Sequence, residues 1–170
     1  MTLNSTLNPI FLIESKETHN CPVCGCPLAG YDRRLRIGKE HDAAVNSYSV
    51  RRLKCQGCKR IHTELPSFLT PLKHYVTDVI ESTLDATRDD CPADNSTISR
   101  WRQSFKWMAP QLEAMLRKLW SDAKGKHYPL ITSNSLLETL RRQGPGWLTN
   151  VTQSIVNANL WQPTWFAFCP

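Results

Sequence analysis

Five cysteines fall in two tight groups, Cys21, Cys24 and Cys26 in "CPVCGC" and Cys55 and Cys58 in "CQGC". Thiols so spaced hold a metal, form disulfides or exchange electrons. Two residues between cysteines let a tight turn aim both sulfurs at one point. Two such turns supply the four thiolates of a closed tetrahedral site. Pro22 and Gly25 suit the first turn and Gly57 the second. Cys21, Cys24, Cys55 and Cys58 are therefore the expected ligands of one structural Zn2+. A redox dithiol needs a βαβ context that the sequence does not display. A catalytic zinc keeps a position open for water, and four thiolates leave none. A region this small and polar is expected to fold only with its metal. Cys26 and His62 stand close enough in sequence to replace a ligand. The reading preferred here is that Cys26 packs as a small apolar residue and His62 makes a hydrogen bond. Cys91 and Cys169 are solitary and are read as free buried thiols.

The second chemical signal is charge. Residues 31–60 hold nine Lys/Arg (Arg33, Arg34, Arg36, Lys39, Arg51, Arg52, Lys54, Lys59 and Arg60) against Asp32, Glu40 and Asp42. The chain's formal net charge is +6, so this segment carries most of the excess. Such a cluster neutralises phosphates and releases counterions from nucleic acid. Arg33, Arg34, Arg51 and Arg52 are the expected phosphate contacts. A solvated sheet face that binds nothing is the competing reading.

The third signal is "DNSTISRWRQSFKW", residues 94–107. Asp94 or Asn95 caps a helix here. Ile98, Trp101, Phe105 and Met108 recur every three or four residues and form one apolar face. Ser96, Ser99, Arg100 and Gln103 lie opposite, flanked by Arg102 and Lys106. Short serines let a helix sink into the major groove while Arg and Gln reach base edges.

These groups need elements to place them. "SYSVRRLKC" (47–55) predicts a strand entering the second turn. The two turns then belong to a zinc ribbon of two hairpins. "LPSFLTPLKHYVTDVIESTLDA" predicts a helix from Leu72, with Thr70 as cap and Pro71 at its first position. "TRDDCPADN" ends it. Further helices are expected over 108–126, ending at Gly125, over 133–143, capped by Ser133 or Asn134, and over 146–161. The aromatic tail "WQPTWFAFCP" reads as closing core; an exposed Trp165–Phe166 patch would instead favour self-association. The expected fold class is α+β: a small N-terminal β zinc ribbon (1–66), an all-α helix-turn-helix-like region (67–125), and C-terminal helices with the aromatic tail (126–170).

"STISRWRQSF" resembles the recognition helix of helix-turn-helix proteins of bacterial mobile elements. Together with "CKRIHTELPSFLTPLKHY", it makes residues 20–108 resemble an uncharacterised bacterial family. That family joins an N-terminal four-cysteine zinc ribbon to a transposase-type helix-turn-helix. The resemblance implies binding to double-stranded DNA in a transposon-associated or regulatory setting.

Other functions find less support. A two-metal nuclease or transposase needs clustered carboxylates, and the acids here are scattered. No Walker loop, GxSxG or HExxH occurs. The sequence also lacks the interleaved aromatics of a stacking RNA binder. No stretch approaches the roughly 20 apolar residues of a membrane span, and "IFLI" is too short for a signal peptide. The expectation is a cytoplasmic, non-enzymatic regulator or accessory factor of a mobile element. It is open to homo-oligomerisation. The alternative is an adaptor docking on a polymerase or recombinase through the ribbon and aromatic tail.

Overall fold

A computed structural model describes residues 9–124 and 135–160. The aromatic tail, Cys169, Gly125, Ser133 and Asn134 lie outside the described residues. The fold is mixed α+β, and the chain divides into two compact units, Met1–Val76 and Thr77–Pro170.

The first unit is a four-stranded sheet. β2 (Leu28–Lys39) and β3 (Val45–Cys55) form a long antiparallel hairpin; β1 (Ile10–Leu12) runs parallel to β3, and β4 (Ile61–Thr63) antiparallel to it. The hairpin turns at residues 40–44, where Ala44 N–H donates to Asp42 and Glu40 N–H to the Ala44 carbonyl. Its far end is plugged from one face. Tyr48 and Val50 are buried there, with Leu69 and Val76 from the following segment. Gly38 makes room for this plug: a Cβ there would lie 2.8 Å from the Tyr48 ring and 3.1 Å from Leu69 and Val76. Phe11 stacks on Tyr48 at 5.7 Å, and Phe68 meets it edge-on at 5.0 Å. The other face is open. Register places Ile10–Ser47–Ile37 and Leu12–Ser49–Leu35 side by side across three strands, and all four apolar residues are exposed.

The second unit has four helices, α1 (Thr77–Asp85), α2 (Asn95–Lys124), α3 (Leu136–Arg142) and α4 (Trp147–Asn157). Three boundaries differ from those expected from sequence. The helix placed from Leu72 begins at Thr77, and Thr70–Pro71 do not cap it. Lys39 N–H donates to the His74 carbonyl and Val76 N–H to the Lys39 carbonyl, so this stretch is drawn onto the sheet; Leu72 itself has φ +60°. The helices expected over 94–107 and 108–126 are one continuous helix running through Pro110. Proline's φ is already helical, and its missing N–H leaves only the Lys106 carbonyl without its helical donor, on an exposed side. The buried stripe Trp101, Met108, Leu112 and Leu116 continues straight across it. Finally, α3 is capped by Ser135, whose hydroxyl accepts from Glu138 N–H.

Carboxylates tie the helices together. Buried Glu81 of α1 accepts Gly146 N–H at 2.6 Å and Leu148 N–H at 2.7 Å, at the start of α4. Glu113 of α2 does the same for α3, accepting Leu136 and Leu137 N–H at 2.9 and 2.8 Å. Burial pushes the Glu113 carboxyl up, but these amides, Ser135 and Arg117 outweigh it and hold it below the usual range. Asp85 accepts from the Trp147 indole and from Arg141. Such groups satisfy amides that a helix cannot pair itself.

Candidate metal centre and nucleic-acid interface

The two cysteine turns adopt one conformation. In each, the first cysteine's N–H donates to the carbonyl five residues on: Cys21 to Cys26 at 2.8 Å, Cys55 to Arg60 at 2.9 Å. In each, the residue after the second cysteine has positive φ, Gly25 at +73° and Lys59 at +63°. In each, the first cysteine is buried and the second exposed. Gly25 takes the left-handed conformation freely. In the second turn that duty falls to Lys59, not to Gly57 as the sequence suggested. Gly57 is needed for space: a Cβ there would stand 2.6 Å from the Cys26 sulfur and 3.1 Å from its Cβ.

Strand register brings the turns together. Leu28 and Cys55 are partners at the end of the hairpin, and Gln56 N–H donates to the Pro27 carbonyl. The four sulfurs of Cys21, Cys24, Cys55 and Cys58 lie within 4.8 Å of one another. Cys21–Cys58 is 3.6 Å and Cys24–Cys55 is 3.4 Å. Four thiolates at about 2.3 Å from a central ion stand roughly 3.8 Å apart, so the cluster fits a tetrahedral metal site.

The surrounding dipoles favour thiolate at Cys24 and Cys21. Cys24 is lowered to about 6, first by the Cys26 backbone N–H, then by the Cys55 thiol and the Cys58 N–H. Burial raises Cys21, but the Val23 and Cys24 amides and the neighbouring thiols bring it below the ordinary value. The Arg60 amide lowers Cys58, yet burial and the other three thiols push it up to about 11. A bound cation drives all four to thiolate. Cys26 is raised by its contact with Cys24 and by the nearby sulfur charges, and stands outside the four. His62 on β4 places Nε2 3.4 Å from the Cys21 sulfur, where it hydrogen-bonds a candidate ligand.

Gly57→Ala is expected to destabilise the metal-loaded ribbon by about 1–3 kcal/mol through overpacking against Cys26. Adding Cys26→Ala should restore part of the loss in thermal denaturation. No recovery would mean that Cys26 is not what fills that space.

The arginines of the hairpin are mostly engaged. Arg33 donates to Ser49 and to the Ile13 carbonyl, fastening the chain beyond β1. Arg51 forms a two-pronged pair with Glu64 at 2.7 and 3.0 Å, and Glu64 also meets His19 at 2.9 Å. Arg52 pairs with Asp32. Of the four expected phosphate contacts, Arg33 and Arg34 are exposed with no ion pair among the described residues, and of these two Arg33 is held by Ser49 and the Ile13 carbonyl.

On α2, Asp94 is the cap, accepting Thr97 N–H at 2.9 Å. Trp101 and Met108 are buried; Ile98 and Phe105 are half-buried, Phe105 meeting Trp147 edge-on at 5.5 Å. Ser96, Ser99, Arg100, Arg102, Gln103 and Lys106 are exposed. Arg100 bonds back to Ser96 and Thr97, and Arg102 reaches the Thr83 carbonyl. Two exposed aromatics escaped the sequence reading. Trp107, 55 % exposed, shares the stripe of Arg100 and Gln103, and Tyr31 stands on the ribbon beside Lys54. Trp107 lies off the apolar spacing, which was the signal available.

Residues 21–101 match the model of a family described as a domain of unknown function, DUF6431. The match begins at the first candidate ligand and ends at Trp101, so it spans all four clustered cysteines and the start of α2. No curated protein and no solved structure matches the chain. Among the described residues no helix is long and apolar enough to cross a membrane.

Proposed function

We propose that this chain is a non-enzymatic, sequence-specific DNA-binding protein with one structural zinc, a regulator or accessory factor of a bacterial mobile element. The observation that carries the reading is the division of α2. Trp101, Ser104 and Met108 are buried, while Ser96, Ser99, Arg100, Gln103 and Lys106 face outward. Short side chains beside Arg and Gln suit entry into a major groove. Zinc is the metal chosen because four thiolates in a closed site are its usual structural set. The carboxylates Glu64, Glu81, Asp85 and Glu113 are occupied in structural bonds, which supports a non-catalytic role.

The adaptor reading draws support from the open strip of Ile10, Leu12, Leu35 and Ile37. Salt separates the two. Affinity of the whole protein for duplex DNA should fall steeply with ionic strength. Arg34→Gln should lower the slope of log affinity against log salt by about one. Arg51→Gln should instead lower stability, because it leaves Glu64 without its main partner. Binding that is flat in salt would favour the adaptor.

A further inference from the structure

The hairpin carries a β-bulge. Gly30 pairs with Leu53 and Asp32 with Arg52, so Tyr31 is an extra residue with no partner of its own. The bulge throws its ring onto the face of Arg52 and Lys54, two residues apart on β3. Lys54 Nζ lies 5.3 Å and the Arg52 guanidinium 5.7 Å from the ring centroid, and the side chain is 51 % exposed. Arg34 lies on the same face, opposite Val50. The patch thus holds three cations against one anion, Asp32, which is already paired with Arg52. Lys54 and Arg34 have no carboxylate partner among the described residues.

We infer that this patch is a stacking site for an unpaired base of single-stranded DNA, with Lys54 and Arg34 meeting the flanking phosphates. The inference rests on the DNA-binding reading and names a second form of the same partner. Cations alone would serve a duplex, whose bases present no free face at a protein surface. An exposed ring held among cations gains from a base only when that base is unstacked, and stacking of this kind tolerates any sequence. The bulge supports the assignment, since bulges re-aim side chains out of the regular pleat.

The test uses the zinc-loaded full chain with oligo(dT), a duplex of equal length, and oligo(U) RNA. Tyr31→Ala should weaken oligo(dT) binding roughly tenfold or more. Tyr31→Phe should stay near wild type, and duplex affinity should not move. Lys54→Gln should lower the salt slope for oligo(dT) by about 0.7. Irradiation with a 5-iododeoxyuridine oligonucleotide should crosslink Tyr31. An unchanged oligo(dT) affinity in Tyr31→Ala, an equal loss on duplex, or tighter binding to oligo(U) than to oligo(dT) would each overturn the inference. Failure of the α2 reading would appear separately, as duplex selectivity that survives Arg100→Ala.

Discussion

Chelation of the metal is expected to unfold the ribbon, and elemental analysis of the untreated protein should return one zinc per chain. The expectation follows from how the first unit is built. Cys21 and Cys55 are almost fully buried, and Cys24 and Cys58 cover them. Without an ion, four sulfurs are crowded within 4.8 Å with nothing to hold them together. Structural zinc sites contribute roughly 10–16 kcal/mol of apparent binding energy, comparable to the whole stability of a domain. Cys24→Ser should therefore lose both the metal and the ribbon's cooperative melting. Cys26→Ser should keep the metal, since that sulfur packs against Gly57 and stands outside the four. A folded, metal-free wild-type protein would refute the assignment. Loss of zinc in Cys26→Ser alone would redraw the ligand set.

The second large effect is a contrast between neighbours on α2. Trp101 is buried in the helical unit and Arg100 beside it is exposed. Trp101→Ala should destabilise this unit by about 3–5 kcal/mol, because removing a large buried ring leaves a cavity. Among the described residues Arg100→Ala removes only bonds to Ser96 and Thr97 on its own helix, so thermal stability should hold. If Arg100 reads a guanine through both its nitrogens, that substitution should cost about 1–3 kcal/mol of discrimination at one base position. Selection of duplex fragments by both variants measures this directly. An Arg100→Ala protein that selects the same fragments as wild type would remove α2 as the reader.

What could be read from sequence was what is set locally. The two-residue cysteine spacing encodes its own turn, and the alternation in 47–55 encodes β3. The Ile98–Trp101–Phe105–Met108 spacing separates a buried from an exposed side, and the structure divides the helix along that line. What escaped depends on partners distant in sequence. The start of α1 shifts to Thr77 because Lys39 bonds His74 and Val76. Pro110 did not break α2 because the packed stripe continues past it. The arginine cluster looked like free charge, yet Arg33, Arg51 and Arg52 are taken up by Ser49, Glu64 and Asp32. Those pairings follow from register and the bulge, which composition does not reveal. Tyr31 is exposed for the same reason.

The hairpin's register has a consequence for how the chain finds its fold. The turn at residues 40–44 fixes which residues of β2 and β3 meet, and Cys55 reaches the first cysteine turn only if Leu28 is its partner. A slip of one residue would send the second cysteine turn to the opposite face of the sheet. A slip of two would displace it by about 6.6 Å, farther than thiolates sharing one ion tolerate. A metal held by the four cysteines would therefore act as an error check, because a hairpin zipped in the wrong register has no site to offer it.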